Sequence, residues 1–204
     1  MPVRPARVGR VGVIGAPVAK TAVVAAAVTP GPLVGHLSGA TTLAPLAPHE
    51  AFSLHPLMTV TGPGTRFEGA TAAIAGSTPR ALATARALAE HLGLRPIEVD
   101  DADRAAYHAA ASIASNFLVT LEGAAERLAA TTGVDREALV PLVRATLENW
   151  AALGPERALT GPIARGDEAT VARQREAVAA RCPELVPAWD ALASLTRGLA
   201  MVPA

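Results

Sequence analysis

The stretch Val11-Gly12-Val13-Ile14-Gly15-Ala16-Pro17-Val18-Ala19-Lys20 decides how the rest of the chain reads. A short apolar run stops at a Gly-Ala-Pro turn, and Pro17 is well placed to open a helix over Val18 to Val28. Gly9, Gly12 and Gly15 fall at every third position, which is not the G-x-G-x-x-G spacing of a dinucleotide-binding turn. Read from Gly15, the second and third glycines are missing. Pro17 removes an N–H where a pyrophosphate would approach, and no acidic residue stands about 20 positions on. The stretch is strand, turn and helix without that fingerprint.

Working outward, the same alternation continues to about residue 100. Thr29-Pro30-Gly31-Pro32 breaks the helix, and Leu33 to Leu37 reads as a second strand ending in Ser38-Gly39-Ala40. Ala51 to Leu54 is a third strand, leading into His55-Pro56-Leu57-Met58-Thr59. Ala70 to Ala75 is a fourth, Pro79 opens a helix to about Leu92, and Arg95 to Val99 is a fifth. Short strands alternating with helices predict α/β layering with parallel pairing. From Asp101 the pattern turns helical. Tyr107, Ala111, Ala114, Leu118, Leu121, Ala125 and Leu128 form one stripe on a helix reaching Thr131. Asp135 begins a second helix, Asp167 caps a third, and Pro183 precedes a fourth ending near Met201. The expected division is an α/β domain over residues 1–100 and an all-α domain over 101–204.

The 204 residues carry 18 basic and 18 acidic side chains, so no formal net charge gives a footprint for nucleic acid or anionic membrane. Lys20 is the one lysine, 47 residues are alanine, and aromatic residues are 3% of the chain. Half the residues are apolar, which excludes disorder, yet no apolar run approaches the roughly 20 residues of a membrane span. The start shows no signal-peptide pattern, and a single Cys182 excludes an intramolecular disulfide, so a reducing, cytoplasmic location is expected. Helices so poor in large side chains bury little area each. A second copy covering the helical stripe is the expected remedy, giving a homodimer.

Chemistry concentrates on the long helix. His108, Ser112 and Asn116 lie at i, i+4 and i+8 with Ser115 beside them, on one polar strip. Histidine titrates near neutrality and asparagine can hold a carbonyl or hydroxyl, which suits acid/base work. The competing assignment is helix padding, with the serines bonded back to their own helix. His55 and the Ser38-Gly39 turn stand at carboxyl ends of strands, where ligands bind in open α/β sheets. Arg165 with the helix start at Asp167 could hold an anion or be a plain capped loop. His36, His49 and His91 show no metal-ligand spacing with Cys182, which is expected to be a small core residue; no metal is expected.

Three separated motifs occur in order: Ser53-Leu54-His55-Pro56-Leu57-Met58-Thr59, Tyr107-His108-Ala109-Ala110-Ala111 through Asn116, and Leu159-Thr160-Gly161-Pro162 through Arg165-Gly166-Asp167. Together they resemble a group of Rossmann-like NAD(P)-dependent oxidoreductases with a helical C-terminal domain of unknown function. These are distant relatives of 3-hydroxyisobutyrate dehydrogenases, ketopantoate reductases and pyrroline-carboxylate reductases. The resemblance spans about residues 11 to 200. It implies a nucleotide-binding α/β domain followed by a helical domain that dimerises and closes over the substrate. The dehydrogenase relatives carry a catalytic lysine and, four residues later, an asparagine. Ser112 and Asn116 have that spacing without a lysine, so the resemblance makes His108 the proton donor. It likens Ser38-Gly39 to the turn after the fifth Rossmann strand and His55-Pro56 to the turn after the sixth, with Thr59 on the substrate side. Val13-Ile14-Gly15-Ala16-Pro17 then resembles the fourth strand and its turn, Val18 standing where an acidic residue is expected. The expectation is a truncated Rossmann-like sheet. It would lack the first mononucleotide-binding half and leave a strand edge for residues 1–10 or another subunit to cover.

Three functions follow. The preferred one is a cofactor-independent small-molecule enzyme performing isomerisation, dehydration or cyclisation. Its catalytic candidates are His108, Asn116, Ser112 and His55, and its substrate-binding candidates are Ser38, Gly39, Thr59, Arg165 and Asp167. Leu57, Met58, Phe117 and Trp150 are candidates for the apolar lining. The alternative is an NAD(P)-dependent reductase of a small carbonyl or imine, and the third is a non-catalytic binding or subunit protein. No cofactor is expected unless the family's NAD(P) is retained.

Overall fold

A computed structural model describes residues 11–14, 18–60, 62 and 64–201. The chain divides into two compact units, one ending at Phe117 and the other beginning at Leu118. That division falls inside the long helical stretch, later than the change of composition near residue 100. The first turns of that stretch pack with the sheet through the buried side chain of Arg104.

The first unit holds five strands in the order of the chain: β1 (Val11–Ile14), β2 (Leu33–His36), β3 (Ala51–Leu57), β4 (Thr71–Gly76) and β5 (Arg95–Glu98). β1, β2 and β3 are parallel, so their carboxyl ends share one edge, with His36 opposite Ser53. β3 and β4 are antiparallel, with His55 opposite Ala73, and β4 and β5 are again parallel. The antiparallel pair corrects the expectation of parallel pairing throughout. The described residues between Leu57 and Thr71 form no helix, and an antiparallel neighbour needs none. β3 also runs three residues past Leu54, so His55 sits within the strand near its carboxyl end. Among the described residues no strand pairs with the outer edge of β1, and residues 1–10 and 15–17, invoked above, lie outside those described.

Helices α1 (Val18–Ala26) and α2 (Pro79–His91) are the crossovers of the β1–β2 and β4–β5 pairs, while β2 and β3 are joined through a single 3-10 turn at Ala44–Leu46. Thr78 caps α2 by accepting from the Ala81 N–H, and Pro79 occupies its first turn, where a missing N–H costs nothing. Ala81, Ala85 and Ala89 recur every fourth position and are fully buried against Phe52, Leu54 and Ile74, the main core. Close approach of β2 to this core requires a glycine at 35, where a Cβ would lie 2.3 Å from the Phe52 ring. Helix α3 (Arg104–Ser112) ends the unit with one π turn, Ile113–Phe117.

The second unit is helical: α4 (Leu118–Ala130), α5 (Arg136–Leu153), α6 (Pro155–Ala158), α7 (Glu168–Arg181) and α8 (Val186–Ala200). Asp135 caps α5, and α7 and α8 are joined by Arg175–Asp190 and Arg197–Glu168 ion pairs at 2.7 and 2.6 Å. Its buried apolar residues are small in number and size, Val171, Val178, Cys182 and Ala193. Leu142, Trp150 and Leu195 remain more than half exposed.

Candidate active site

The carboxyl end of β2 starts the site. His36 is buried, its Nε2–H donating to the Thr42 carbonyl at 3.1 Å and its Nδ1 accepting from the Ser38 N–H at 3.3 Å. Burial pushes its pKa down, with the charge of Arg104 adding, against the bond to Thr42. Ser38 Oγ accepts from both the N–H and the hydroxyl of Thr41, at 3.0 and 2.7 Å, so this hydroxyl shapes the turn. Gly39 follows, buried. A Cβ there would lie 2.6 Å from His108 Cδ2 and 2.8 and 2.9 Å from His55 Cε1 and Nε2. Only hydrogen at this position lets two imidazoles approach the same backbone.

β3 contributes His55 and α3 contributes Tyr107 and His108. The Nδ1 of His55 and the Tyr107 hydroxyl share a hydrogen bond of 2.8 Å, their rings edge-on with centroids 5.6 Å apart. The His108 ring stands 6.1 Å from that of His55. Burial lowers the pKa of His55, and the charges of His108, Arg104 and His36 lower it further, so the imidazole is neutral at pH 7. Burial raises the pKa of Tyr107, which stays a phenol. If His55 Nδ1–H donates, the tyrosine hydroxyl is left to donate to a ligand. If the hydroxyl donates, His55 is held with its proton on Nε2.

These groups open onto a cavity of about 700 Å³, within the size range of small-molecule sites. Its wall brings together the sequence candidates His55, Thr59, His108, Ser112 and Asn116, with Ser115, Tyr107, Leu57 and Met58. Asn116 and Ser115 lie in the π turn, whose extra residue re-aims side chains relative to a regular helix. Ile113 and Phe117, the first and last residues of this turn, are exposed. Phe117 and Trp150, expected in the lining, are not there: both are exposed, the first at the end of the π turn and the second on α5. Arg165 and Asp167 belong to the second unit, where Asp167 caps α7 by accepting from the Thr170 N–H at 3.0 Å. The Thr170 hydroxyl and then its N–H, helped by Arg173 and Arg165, hold the carboxyl below its ordinary range.

Sequence reasoning placed Tyr107 on an apolar stripe and missed its bond to His55. It also missed Arg104 and Ser53, both buried beneath the site. The available signals were spacings, Arg104 three and four residues before Tyr107 and His108, and Ser53 two before His55. Among the described residues no group of three His, Cys, Asp or Glu side chains could hold a metal, and no helix is long and apolar enough to cross a membrane.

The sheet order and the helical second half define a partial Rossmann-like α/β unit joined to a helical one. A family model described as a domain of unknown function, DUF2520, matches residues 70–196, more than half the chain, and the chain belongs to that family. Two solved structures resemble it. One is BF3122 of Bacteroides fragilis, provisionally assigned as an NADP oxidoreductase, with TM-score 0.79, 21% identity and coverage of 92% of this chain and 74% of that one. The other is TM1727 of Thermotoga maritima, with TM-score 0.82, 24% identity and coverage of 94% and 78%. At these identities the likeness is one of fold. No curated protein matches the chain.

Proposed function

We propose that the cavity moves protons on a small substrate bearing a carbonyl or imine, without change of its redox state. The observation that carries this reading is the His55–Tyr107 bond at the cavity wall, a neutral base joined to a phenol, with His108 beside it. The imidazole of His55 takes the proton from the carbon next to the carbonyl. The electron pair moves to the oxygen, which receives a proton from His108 while the Asn116 amide orients it. His55 returns its proton to a different carbon while His108 takes one back from the enol oxygen, so the carbonyl or imine is re-formed, the isomerisation is complete and both histidines are restored.

The second reading is reduction of a small carbonyl or imine with NAD(P)H, favoured by the oxidoreductase-type fold and the assignment of the B. fragilis protein. Against it stands the sequence Gly15-Ala16-Pro17 between β1 and α1, which lacks the glycine-rich spacing of a dinucleotide cradle, and the nearby cation Arg104 is already engaged by Asp101, Ser38 and Ser53. NADPH and NADH titration followed by nicotinamide fluorescence separates the readings. Micromolar binding overturns the redox-neutral one. Its positive test is proton NMR in D2O with a panel of small ketones, aldehydes and imines. Loss of α-proton signal is expected, sharply reduced in Tyr107→Phe and His108→Ala variants that melt like the parent.

We also infer that the helical unit pairs with a second copy. The support is its exposed apolar side chains, Val119, Leu142, Trp150 and Leu195, which a monomer would leave in water.

A further inference from the structure

We propose that Arg104 is the positioning residue of this cavity: its guanidinium, spread between β3, the turn after β2 and the loop before α3, sets where Tyr107 and His108 stand over His55. The proposal rests on the reading of the cavity as a proton-transfer site.

The side chain of Arg104 is 1% exposed. A buried cation is costly unless paired and hydrogen-bonded, and this one has a single carboxylate partner. Its Nε donates to Asp101 Oδ1 at 3.2 Å, and that carboxylate also accepts the Leu43 N–H at 2.9 Å. One Nη donates to the Ser38 carbonyl at 3.3 Å and the other to Ser53 Oγ. Two of the three partners are neutral, so ion pairing alone does not account for the residue. The planar fork does, because it reaches three acceptors in fixed directions, which an ammonium on a flexible stem does not.

Each anchor is one step from a site group. Ser53 precedes His55 by two residues and shares its face of the strand. Ser38 adjoins Gly39, on which both imidazoles rest. Arg104 itself lies one helical turn before Tyr107 and His108, on their face of α3. The fork therefore ties together the three segments that build the site.

Its charge acts in the same sense as burial. The groups facing His55 are Tyr107, His108 and Arg104 from α3 and His36 from β2, with the Asp101 carboxylate behind Arg104. The guanidinium disfavours a proton on the buried His36 and on the half-buried His55.

The test uses the full chain labelled with ¹⁵N-histidine, reading both ring nitrogens of His55 across pH. The wild type is expected to show one locked tautomer and a midpoint below 6.5. Arg104→Met is expected to lose the tautomer lock and raise the midpoint. Arg104→Lys is expected to lose the lock while keeping the low midpoint, because it restores charge without the fork. Ser53→Ala removes one hydroxyl, keeps the fold and is expected to weaken the lock. If every variant that folds retains the wild-type nitrogen pattern, Arg104 does not position the site and the proposal is overturned. An averaged His55 ring already in the wild type overturns the proton-transfer reading, and the role of Arg104 with it. A locked wild type with unchanged variants overturns the role of Arg104 alone.

Discussion

Gly39→Ala tests the site geometry without requiring a substrate. The new methyl would stand 2.6 Å from His108 Cδ2, where ordinary carbon contacts begin near 3.4 Å, so the ring must retreat by about 0.8 Å. His55, at 2.8 and 2.9 Å, must retreat by about 0.6 Å. That displacement acts on an imidazole held by a 2.8 Å bond to Tyr107. Overpacking of this kind typically costs about 1–3 kcal/mol, and in a chain of this size each kcal/mol lowers the melting temperature by roughly 2–4 °C. Gly62→Ala is the control, because a Cβ there meets nothing within 4 Å. Thermal melting is expected to fall in the first variant and hold in the second. The ring resonances of His55 and His108 should shift only in Gly39→Ala. If that variant melts within a degree of the parent with both imidazole spectra unchanged, the two rings do not rest on Gly39 and the geometry argued above is wrong.

Stability should fall as pH drops below about 6.5. His36 and His55 have folded pKa values lowered from 6.5, so the unfolded chain binds more protons in that window; urea titrations at pH 7.5 and 5 check this, and equal or greater stability at pH 5 contradicts it. Carboxylates held down by arginine, such as Glu50 by Arg80 and Asp190 by Arg175, act in the same direction but only below about 4.5. Asp167→Ala should lower the melting temperature and Asp167→Asn largely restore it, because the side chain caps α7. A variant that loses substrate turnover while melting normally would instead make this loop part of the site. Light scattering should give twice the 20.7 kDa chain mass, reduced to one chain by Leu142→Glu on the exposed apolar face; a wild-type monomer at all concentrations rules the pairing out.

The reach of local sequence signals explains what was legible. Val11–Ile14 and Leu33–His36 stand out as short runs between Gly and Pro breaks, Arg95–Glu98 as one between Gly93 and Asp100, and Asp135 and Asp167 mark helix starts that the backbone uses. The polar strip of His108, Ser112 and Asn116 was likewise readable, because helical spacing is a property of a few consecutive residues. The direction of β4 was not, since strand pairing depends on the path of a connecting loop rather than on the strand's own pattern. Nor were the contacts that turn the strip into a site. His55 meets Tyr107 across 52 positions, and Arg104 meets Ser53 across 51 and Ser38 across 66. Apolar and polar periodicity says that a face is covered but not by which distant segment. Burial of an arginine, the lowered pKa of two histidines and the need for a bare backbone at Gly39 all arise only when those segments meet.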